Sequence, residues 1–374
     1  MAGIYIHIPF CKQKCSYCDF HFSTTFESYR ERMIHCIVNE LIHRKESIQN
    51  DAIKTIYFGG GTPSLLTENE LKIIIETIYS HFLVNETAEI TLEANPDDID
   101  LEKVEMWARS GINRLSIGLQ SFNPSVMKWM NRAHTVEQSL SCIPTAQKAG
   151  IKNISIDLIY GLPDLTITDW EQEIDTALQL GVQHISAYCL TIEDKTALAS
   201  WVKSKKINAP SNENQALQFE VLQRKLKNAG FDHYEISNFG LPDFYSKHNS
   251  SYWKGEAYLG VGPSAHSFDG KYRSWNIANN SQYIKGIESE DPAYDFELLT
   301  PENRFNELLL VGLRTQWGVD LQQLSYILPL PTVFNTTLSD FITKGWISQN
   351  ESRIRLTDEG KNWADKIAQD LFVL

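Results

Sequence analysis

Six times before residue 230 the chain follows a short run of β-branched or aromatic residues with a longer stretch of helical periodicity. The strand-like runs fall at residues 4–8, 55–58, 89–93, 114–119, 153–159 and 184–188. The helical patterns fall at 27–46, 68–82, 101–110, 136–149, 168–180 and 213–229. Thr67 ahead of Glu70 and Asp100 ahead of Glu102 are helix-entry signals, because their side-chain oxygens accept from amides that the first turn leaves unpaired. Gly111, Gly150, Gly181 and Gly230 stand where helices commonly end. A helix between consecutive strands returns the chain to its starting edge, so the strands run parallel with the helices outside. The pattern predicts an α/β fold: a partial or full parallel β/α (TIM-like) barrel of about six βα units, with a doubly wound open sheet as the structural alternative.

Residues unusual for a strand gather at one end of these units. The first run leads into Cys11-Lys12-Gln13-Lys14-Cys15-Ser16-Tyr17-Cys18, and the second into Gly59-Gly60-Gly61-Thr62-Pro63. The third ends at Glu93, the fourth at Gln120, and the fifth carries Asp157 before Gly161. In a parallel barrel the carboxyl ends share one face where the βα loops converge, so five stretches far apart in sequence are expected in one site.

After the sixth unit the pattern turns irregular and aromatic. Residues 233–239 read as a further strand, followed by His248-Asn249-Ser250-Ser251-Tyr252-Trp253 and Gly260-Val261-Gly262-Pro263-Ser264-Ala265-His266. Residues 269–300 are polar and turn-rich, as a connection would be. Beyond them, helical patterns at 302–313, 321–327, 332–344 and 358–371 surround a hairpin signal at Asn350-Glu351, an order that resembles a winged helix. The expected organisation is a barrel over 1–240, an aromatic and histidine-rich extension over 241–300, and a small winged-helix-like α+β domain over 301–374.

Charge narrows what such a fold can serve. A net charge of -13 argues against general affinity for nucleic acid or anionic membrane surfaces. Residues 300–374 hold seven Lys and Arg against nine Asp and Glu, so the terminal domain is expected to pack or dock and not to grip phosphates. No apolar run approaches the roughly 18 residues of a transmembrane segment. The strand pattern starts by residue 4 with no basic-then-apolar leader before it, and a cytoplasmic protein is expected.

Six cysteines in 374 residues are not a disulfide framework, and close-spaced cysteines in a reducing compartment point to metal binding or catalysis. Cys36, Cys142 and Cys189 are scattered and read as small buried hydrophobes. Cys11, Cys15 and Cys18 offer three ligands, whereas closed zinc sites and iron–sulfur clusters usually take four. One reading is a zinc loop completed by His7 or His21. The other is a [4Fe-4S] cluster with one open iron, which can chelate the amino and carboxylate groups of a methionine-like moiety; electron transfer into a bound sulfonium then breaks a carbon–sulfur bond. Three successive glycines exceed what a turn needs and let a ligand lie against the backbone, with the Thr62 hydroxyl beside it. Glu93 suits a ribose hydroxyl or an amino group, or is a solvated carboxylate beside a loop. Gln120 and Asp157 sit in apolar strand contexts, where either a ligand or a structural hydrogen bond must satisfy them. Arg132, read alone, is a surface arginine.

Cys11-x3-Cys15-x2-Cys18 resembles the signature of the radical S-adenosylmethionine superfamily. The runs Tyr5-Ile6-His7-Ile8-Pro9-Phe10-Cys11, Ser116-Ile117-Gly118-Leu119-Gln120-Ser121-Phe122 and Asp157-Leu158-Ile159-Tyr160-Gly161-Leu162-Pro163, with the Gly-Gly-Gly-Thr-Pro loop, narrow the likeness. Together they resemble the oxygen-independent coproporphyrinogen III oxidase-like family and its haem-chaperone branch, over nearly the whole chain. The resemblance implies cluster ligation by Cys11, Cys15 and Cys18, and S-adenosylmethionine contacts from Tyr5, Gly60, Gly61, Thr62 and Glu93. It also implies an electron donor for the cluster. Tyr17, Gln120, Arg132 and Asp157 match positions that hold a second S-adenosylmethionine in the dehydrogenase.

Two features separate the branches. The dehydrogenase carries another cysteine two positions past the third, where this chain has Phe20, and an amino-terminal extension before the first strand. His248-Asn249-Ser250-Ser251-Tyr252-Trp253 resembles a haem-chaperone motif, and a neutral imidazole is a good iron ligand. His248 is thus the candidate haem ligand, or else a buried histidine in an aromatic cluster, with His266 second. The expected function is a haem chaperone delivering haem to acceptor haemoproteins. The alternatives are a coproporphyrinogen III dehydrogenase, an oxidoreductase making vinyl groups from propionates, and a zinc-stabilised barrel of other activity.

Overall fold

The structure is a computed structural model that describes residues 2–48, 51–292 and 294–373. The first half alternates strictly: β1 (Ala2–Ile8), α1 (Arg30–His43), β2 (Ile53–Gly60), α2 (Glu68–His81), β3 (Val84–Ala94), α3 (Leu101–Arg109) and β4 (Arg114–Gln120). There follow α4 (Pro124–Trp129), α5 (Val136–Lys148), β5 (Asn153–Tyr160), α6 (Ile167–Gln179), β6 (His184–Cys189), α7 (Ala197–Lys203) and α8 (Asn212–Asn228). β1 to β6 lie side by side in chain order, each parallel to the next. Parallel strands covered on both faces bury every other residue on each side. Ile4, Ile6 and Ile8 of β1, like Ile154, Ile156 and Leu158 of β5, have no exposed surface.

The entry signals work as read. Thr67 and Glu70 form a reciprocal capping box on α2, and Asp100 accepts from the Lys103 amide at 2.8 Å. Gly111 (φ 96°) and Gly150 (φ 102°) take the left-handed conformation that closes α3 and α5.

Among the described residues the sheet does not close on itself, so this is a partial barrel. Beyond β6 the chain turns back in an antiparallel hairpin, β7 (Asp232–Glu235) and β8 (Asn238–Gly240), where one strand was expected. Next come α9 (Lys247–Trp253), β9 (Ala257–Val261), β10 (His266–Phe268), β11 (Tyr272–Asn276), α10 (Asn280–Glu288) and β12 (Tyr294–Leu298). β9 pairs parallel to β1 on its free edge, and β10 to β12 continue the sheet antiparallel. Residues expected as a connection therefore complete a 12-stranded sheet. Glu40 of α1 clasps them: it accepts from the Gly262 amide (2.9 Å), Tyr283 hydroxyl (2.6 Å) and Asn276 amide (2.8 Å), with Arg44 at 3.1 Å.

The remaining chain is α11 (Pro301–Leu313), β13 (Val319–Asp320), α12 (Leu321–Ile327), α13 (Thr332–Thr343), β14 (Ile347–Asn350), β15 (Arg353–Leu356) and α14 (Ala364–Asp370). It has its own core around Phe305, Leu309, Phe341 and Ile367 and its own three-stranded antiparallel sheet. Among the described residues no helix is long and apolar enough to cross a membrane.

Candidate functional site

The carboxyl ends of β1 to β6 enclose a cavity of about 400 Å³. Eleven of the sequence candidates meet in its wall: Cys11, Cys15, Tyr17, Cys18, Gly60, Gly61, Thr62, Glu93, Gln120, Arg132 and Asp157. Parallel pairing is what gathers them, because each strand delivers its last residues to the same face.

The cysteine loop is held from several sides. The Cys11 amide donates to Ser23 (3.1 Å), the Ser16 amide to Met130 (3.0 Å), and the Asn131 side chain to the Lys14 carbonyl (2.8 Å). Lys12 reaches across to Asp97 and the buried Asp98. The glycines explain how β2 approaches so closely. A Cβ on Gly60 would lie 2.5 Å from the His7 ring, and one on Gly61 would lie 2.6 Å from the Phe10 carbonyl oxygen. The chain's own atoms thus demand the missing side chains, beyond any ligand that uses the exposed backbone.

None of the cysteines is in a disulfide, and Cys11, Cys15 and Cys18 are partly exposed. Burial pushes the Cys11 thiol up to about 12, although the Thr62 hydroxyl donating to its sulfur (3.3 Å) pulls the other way. Burial likewise raises Cys18 to about 11. Such thiols stay protonated near neutral pH and ionise when a metal takes the proton's place. Among the described residues no three His, Cys, Asp or Glu side chains are grouped to hold one metal ion. His7 and His21, the candidates to complete a zinc loop, face a neighbouring cleft instead. His7 Nε2 donates to the His21 carbonyl (2.8 Å), leaving Nδ1 to accept from Tyr5 (3.2 Å), and His21 Nε2 contacts Asn280 (2.7 Å). The donor set left at the cavity is three thiols with backbone and oxygen groups beside them, which fits a cluster with one position open to a chelating ligand.

Arg132 is a brace and not the surface residue its sequence context suggests. It donates to Asn95 (2.7 Å) and the Gly118 carbonyl (2.8 Å), and contacts Cys15 Sγ (3.4 Å) and the Tyr17 hydroxyl (3.5 Å). Burial opposes its charge, but Tyr17 and Cys15 more than offset that and hold it cationic. Its Nε is buried without a partner among the described residues. Gln120 adopts φ 71°, a left-handed backbone that a non-glycine residue takes only under constraint, where β4 slips register against β5.

Two carboxyls share the cavity. Glu93 accepts from the Tyr57 hydroxyl (2.8 Å) and the Gly60 amide (3.2 Å). Burial raises it to about 7, Tyr57 working against the shift and Asp157 adding to it. Burial also raises Asp157 to about 6, opposed by hydrogen bonds from Ser186 and Ser116 and by the charges of Arg114 and Arg132.

Tyr5 lies outside this wall, in the neighbouring cleft of about 820 Å³, which shares Phe20, Gly60 and Glu93 with the first cavity. His248 reaches neither. Its motif folds as α9, and the ring is buried beneath β1 and β2, stacked on Tyr57 at 4.9 Å. Nδ1 contacts the Thr55 hydroxyl (2.8 Å) and Nε2 the Tyr252 hydroxyl (2.7 Å), so both nitrogens are taken. Burial, helped by the Arg114 charge, lowers it to about 3 and keeps it neutral. The spacing of a motif carries no side-chain direction, so the sequence alone leaves the orientation of the His248 ring open. Cys36 and Cys142 are buried as expected, whereas Cys189, at the end of β6, lines the cavity. Asn95, Ser116 and Tyr188 also line it; the only sequence signal for them and for Cys189 is their position at or just past a strand end.

Comparison with known proteins agrees with this geometry. Residues 5–177 match the Radical SAM superfamily and residues 299–363 the HemN C-terminal domain. The chain is 34% identical to a heme chaperone HemW of Bacillus subtilis over 96% of both chains. It is also 34% identical to a heme chaperone HemW of Synechocystis, covering 92% of this chain and 86% of the relative. The solved coproporphyrinogen III oxidase (HemN) of Escherichia coli, a Radical SAM enzyme, shares the fold at 22% identity with a TM-score of 0.86, covering all of this chain and 90% of that one. The chain belongs to the radical S-adenosylmethionine superfamily, in the HemN-like family and its HemW branch.

Proposed function

We propose that this protein binds haem and hands it to acceptor haemoproteins, with a [4Fe-4S] cluster and S-adenosylmethionine in the cavity at the strand ends and an electron donor serving the cluster. The observation that carries this reading is the 34% identity to a heme chaperone over 96% of both chains. In the proposal residues 1–240 house the cofactors, 241–300 extend the sheet beside them, and 301–374 form the docking domain.

Membership of the superfamily implies the cluster and S-adenosylmethionine. When bound, they supply one-electron cleavage of a sulfonium carbon–sulfur bond. The chain's own part is to hold and shield them. Cys11, Cys15 and Cys18 are assigned to iron, with the Thr62 hydroxyl steadying the Cys11 sulfur and Arg132 the Cys15 sulfur. Gly60, Gly61 and Thr62 leave backbone open to an adenosyl ligand, and Glu93 faces both cavities as an acceptor for its amino or hydroxyl groups. Tyr5 is assigned to the same cofactor from the cleft side. Tyr17, Gln120 and Asp157 complete the far wall, where a second adenosyl ligand fits the proposal.

The test is anaerobic reconstitution, haemin titration and transfer to an apo-haemoprotein. Iron–sulfur absorption with about four irons per chain, a shifted Soret band and transfer of haem are expected. Conversion of coproporphyrinogen by the same preparation would overturn the chaperone assignment, and stoichiometric zinc without sulfide would overturn the cluster.

A further inference from the structure

The cleft beside the cofactor cavity has the chemistry of a metalloporphyrin site. Its volume of about 820 Å³ is within the roughly 300–1,000 Å³ usual for cofactor pockets. One wall is the sheet extension. β10 alternates, so Ser267 points inward and receives the Gly260 amide (2.9 Å), while His266 and Phe268 line the cleft with Tyr258. The other wall is α11, which presents Arg304, Leu308 and Val311 at i, i+4 and i+7, one face of a helix. Phe20, 70% exposed, borders both this cleft and the cofactor cavity.

Three imidazoles line the cleft. Those of His7 and His21 are engaged as described, whereas His266 has no hydrogen-bond partner on either nitrogen among the described residues and only stacks on Trp275 (6.0 Å). Burial and the Arg273 charge lower its pKa, which favours the neutral form that ligates iron. The cleft's charges are also unequal in availability. Arg273 is tied to Glu307 (2.8 Å) and Glu297 (3.5 Å), which neutralises the acidic side of the cleft floor. Arg304 has no partner among the described residues, and Lys254 has only the Trp317 ring (4.6 Å). Glu256 is the remaining carboxylate, besides Glu93 at the shared border. In a chain of net charge -13, an unpaired arginine beside aromatic and aliphatic walls marks where an anionic, flat ligand would anchor.

We infer that haem binds in this cleft, between the sheet extension and α11, with His266 as the axial iron ligand and Arg304, aided by Lys254, receiving the propionates. This rests on the chaperone proposal and names its site. Tyr258 and Phe268 cover one porphyrin face, and Leu308 and Val311 the other. Haem then sits against the cofactor cavity with Phe20 between them, and His248 acts from below by holding Tyr252 in the cleft wall.

The experiment is haemin titration of the full chain, read by Soret position and dissociation constant, with circular dichroism as the folding control. His266→Ala should lose the imidazole-ligated spectrum, weaken binding about tenfold or more, and regain the band with added imidazole. Arg304→Glu should weaken binding about tenfold while keeping the ligated spectrum. Val311→Trp should block binding by filling the cleft. Wild-type protein that takes up no haemin would overturn the chaperone proposal itself. Wild-type binding that all three variants retain unchanged would overturn only this location, as would loss of the ligated spectrum in His248→Ala but not in His266→Ala.

Discussion

Replacing Gly61 by alanine tests how the cysteine loop is built. The added methyl would lie 2.6 Å from the Phe10 carbonyl oxygen, 2.7 Å from that of Ile8 and 2.9 Å from the Phe10 nitrogen. Ordinary contact requires roughly 3.5 Å or more, so main chain on both sides must retreat by roughly 0.7 Å, with no flexible side chain to swing aside. Overpacking of this kind costs about 1–3 kcal/mol. The retreat also strains two hydrogen bonds, Gly61 to Ile8 (2.9 Å) and Thr62 to Phe10 (2.6 Å), each worth about 1 kcal/mol. A rigid loop would thus lose about 3–5 kcal/mol; a yielding one loses less but carries Cys11 out of place. Urea unfolding and iron content after anaerobic reconstitution, measured together, should show a lowered midpoint, fewer irons per chain, or both. Gly150→Ala is the control. Its Cβ meets nothing within 4 Å, and φ 102° adds only a conformational cost of about 1–2 kcal/mol at the far end of the strands, with iron content unchanged. A Gly61→Ala protein with wild-type midpoint and wild-type iron would refute the reasoning.

The contribution of Glu93 and Asp157 to the stability of the metal-free protein should fall as pH rises. The folded pKa values of Glu93 (about 7, from 4.5) and Asp157 (about 6, from 3.8) are raised, so between those limits these two carboxyls hold more protons in the folded state than in the unfolded one, whereas buried imidazoles such as His248 (about 3, from 6.5) act in the opposite sense. Relative to a Glu93→Gln protein, the wild-type urea midpoint should lose ground between about pH 4 and pH 7, and a difference that stays constant across that range would count against the assignment. Glu40→Ala strands three buried donors and should destabilise the fold by about 3 kcal/mol or more, seen as a lower unfolding midpoint. Arg132→Met removes two short hydrogen bonds and the brace on Cys15, so about 2–4 kcal/mol and part of the iron content should be lost. Lysine at that position should not restore iron, because an ammonium cannot reproduce the planar fork.

Cys11, Thr62, Glu93, Gln120 and Asp157 were legible as one site because parallel order alone sends every strand end to the same face. The same logic reaches Cys189 and Ser116, but neither residue type stands out at a strand end. Arg132 was reached only through the family resemblance: nothing local distinguishes an arginine braced against Gly118 and Asn95 from one in solvent. The strands of residues 257–298 were missed for a similar reason. β9 is five residues long, and its partner β1 lies some 250 residues earlier, so its pairing is a property of assembly and not of local pattern.

Local periodicity and spacing by themselves determined the βα units, the shared face and the three-cysteine loop, since these depend on near neighbours and on the direction of parallel strands. Which imidazole lines the cleft was decided only in three dimensions. His248 and His266 lie in comparable aromatic stretches, yet α9 packs the first beneath β1 and β2 with both nitrogens engaged, while alternation along β10 turns the second into the cleft. The cleft itself exists because α11, from a separately cored domain, packs opposite the sheet extension, a contact between surfaces that no short stretch of sequence encodes.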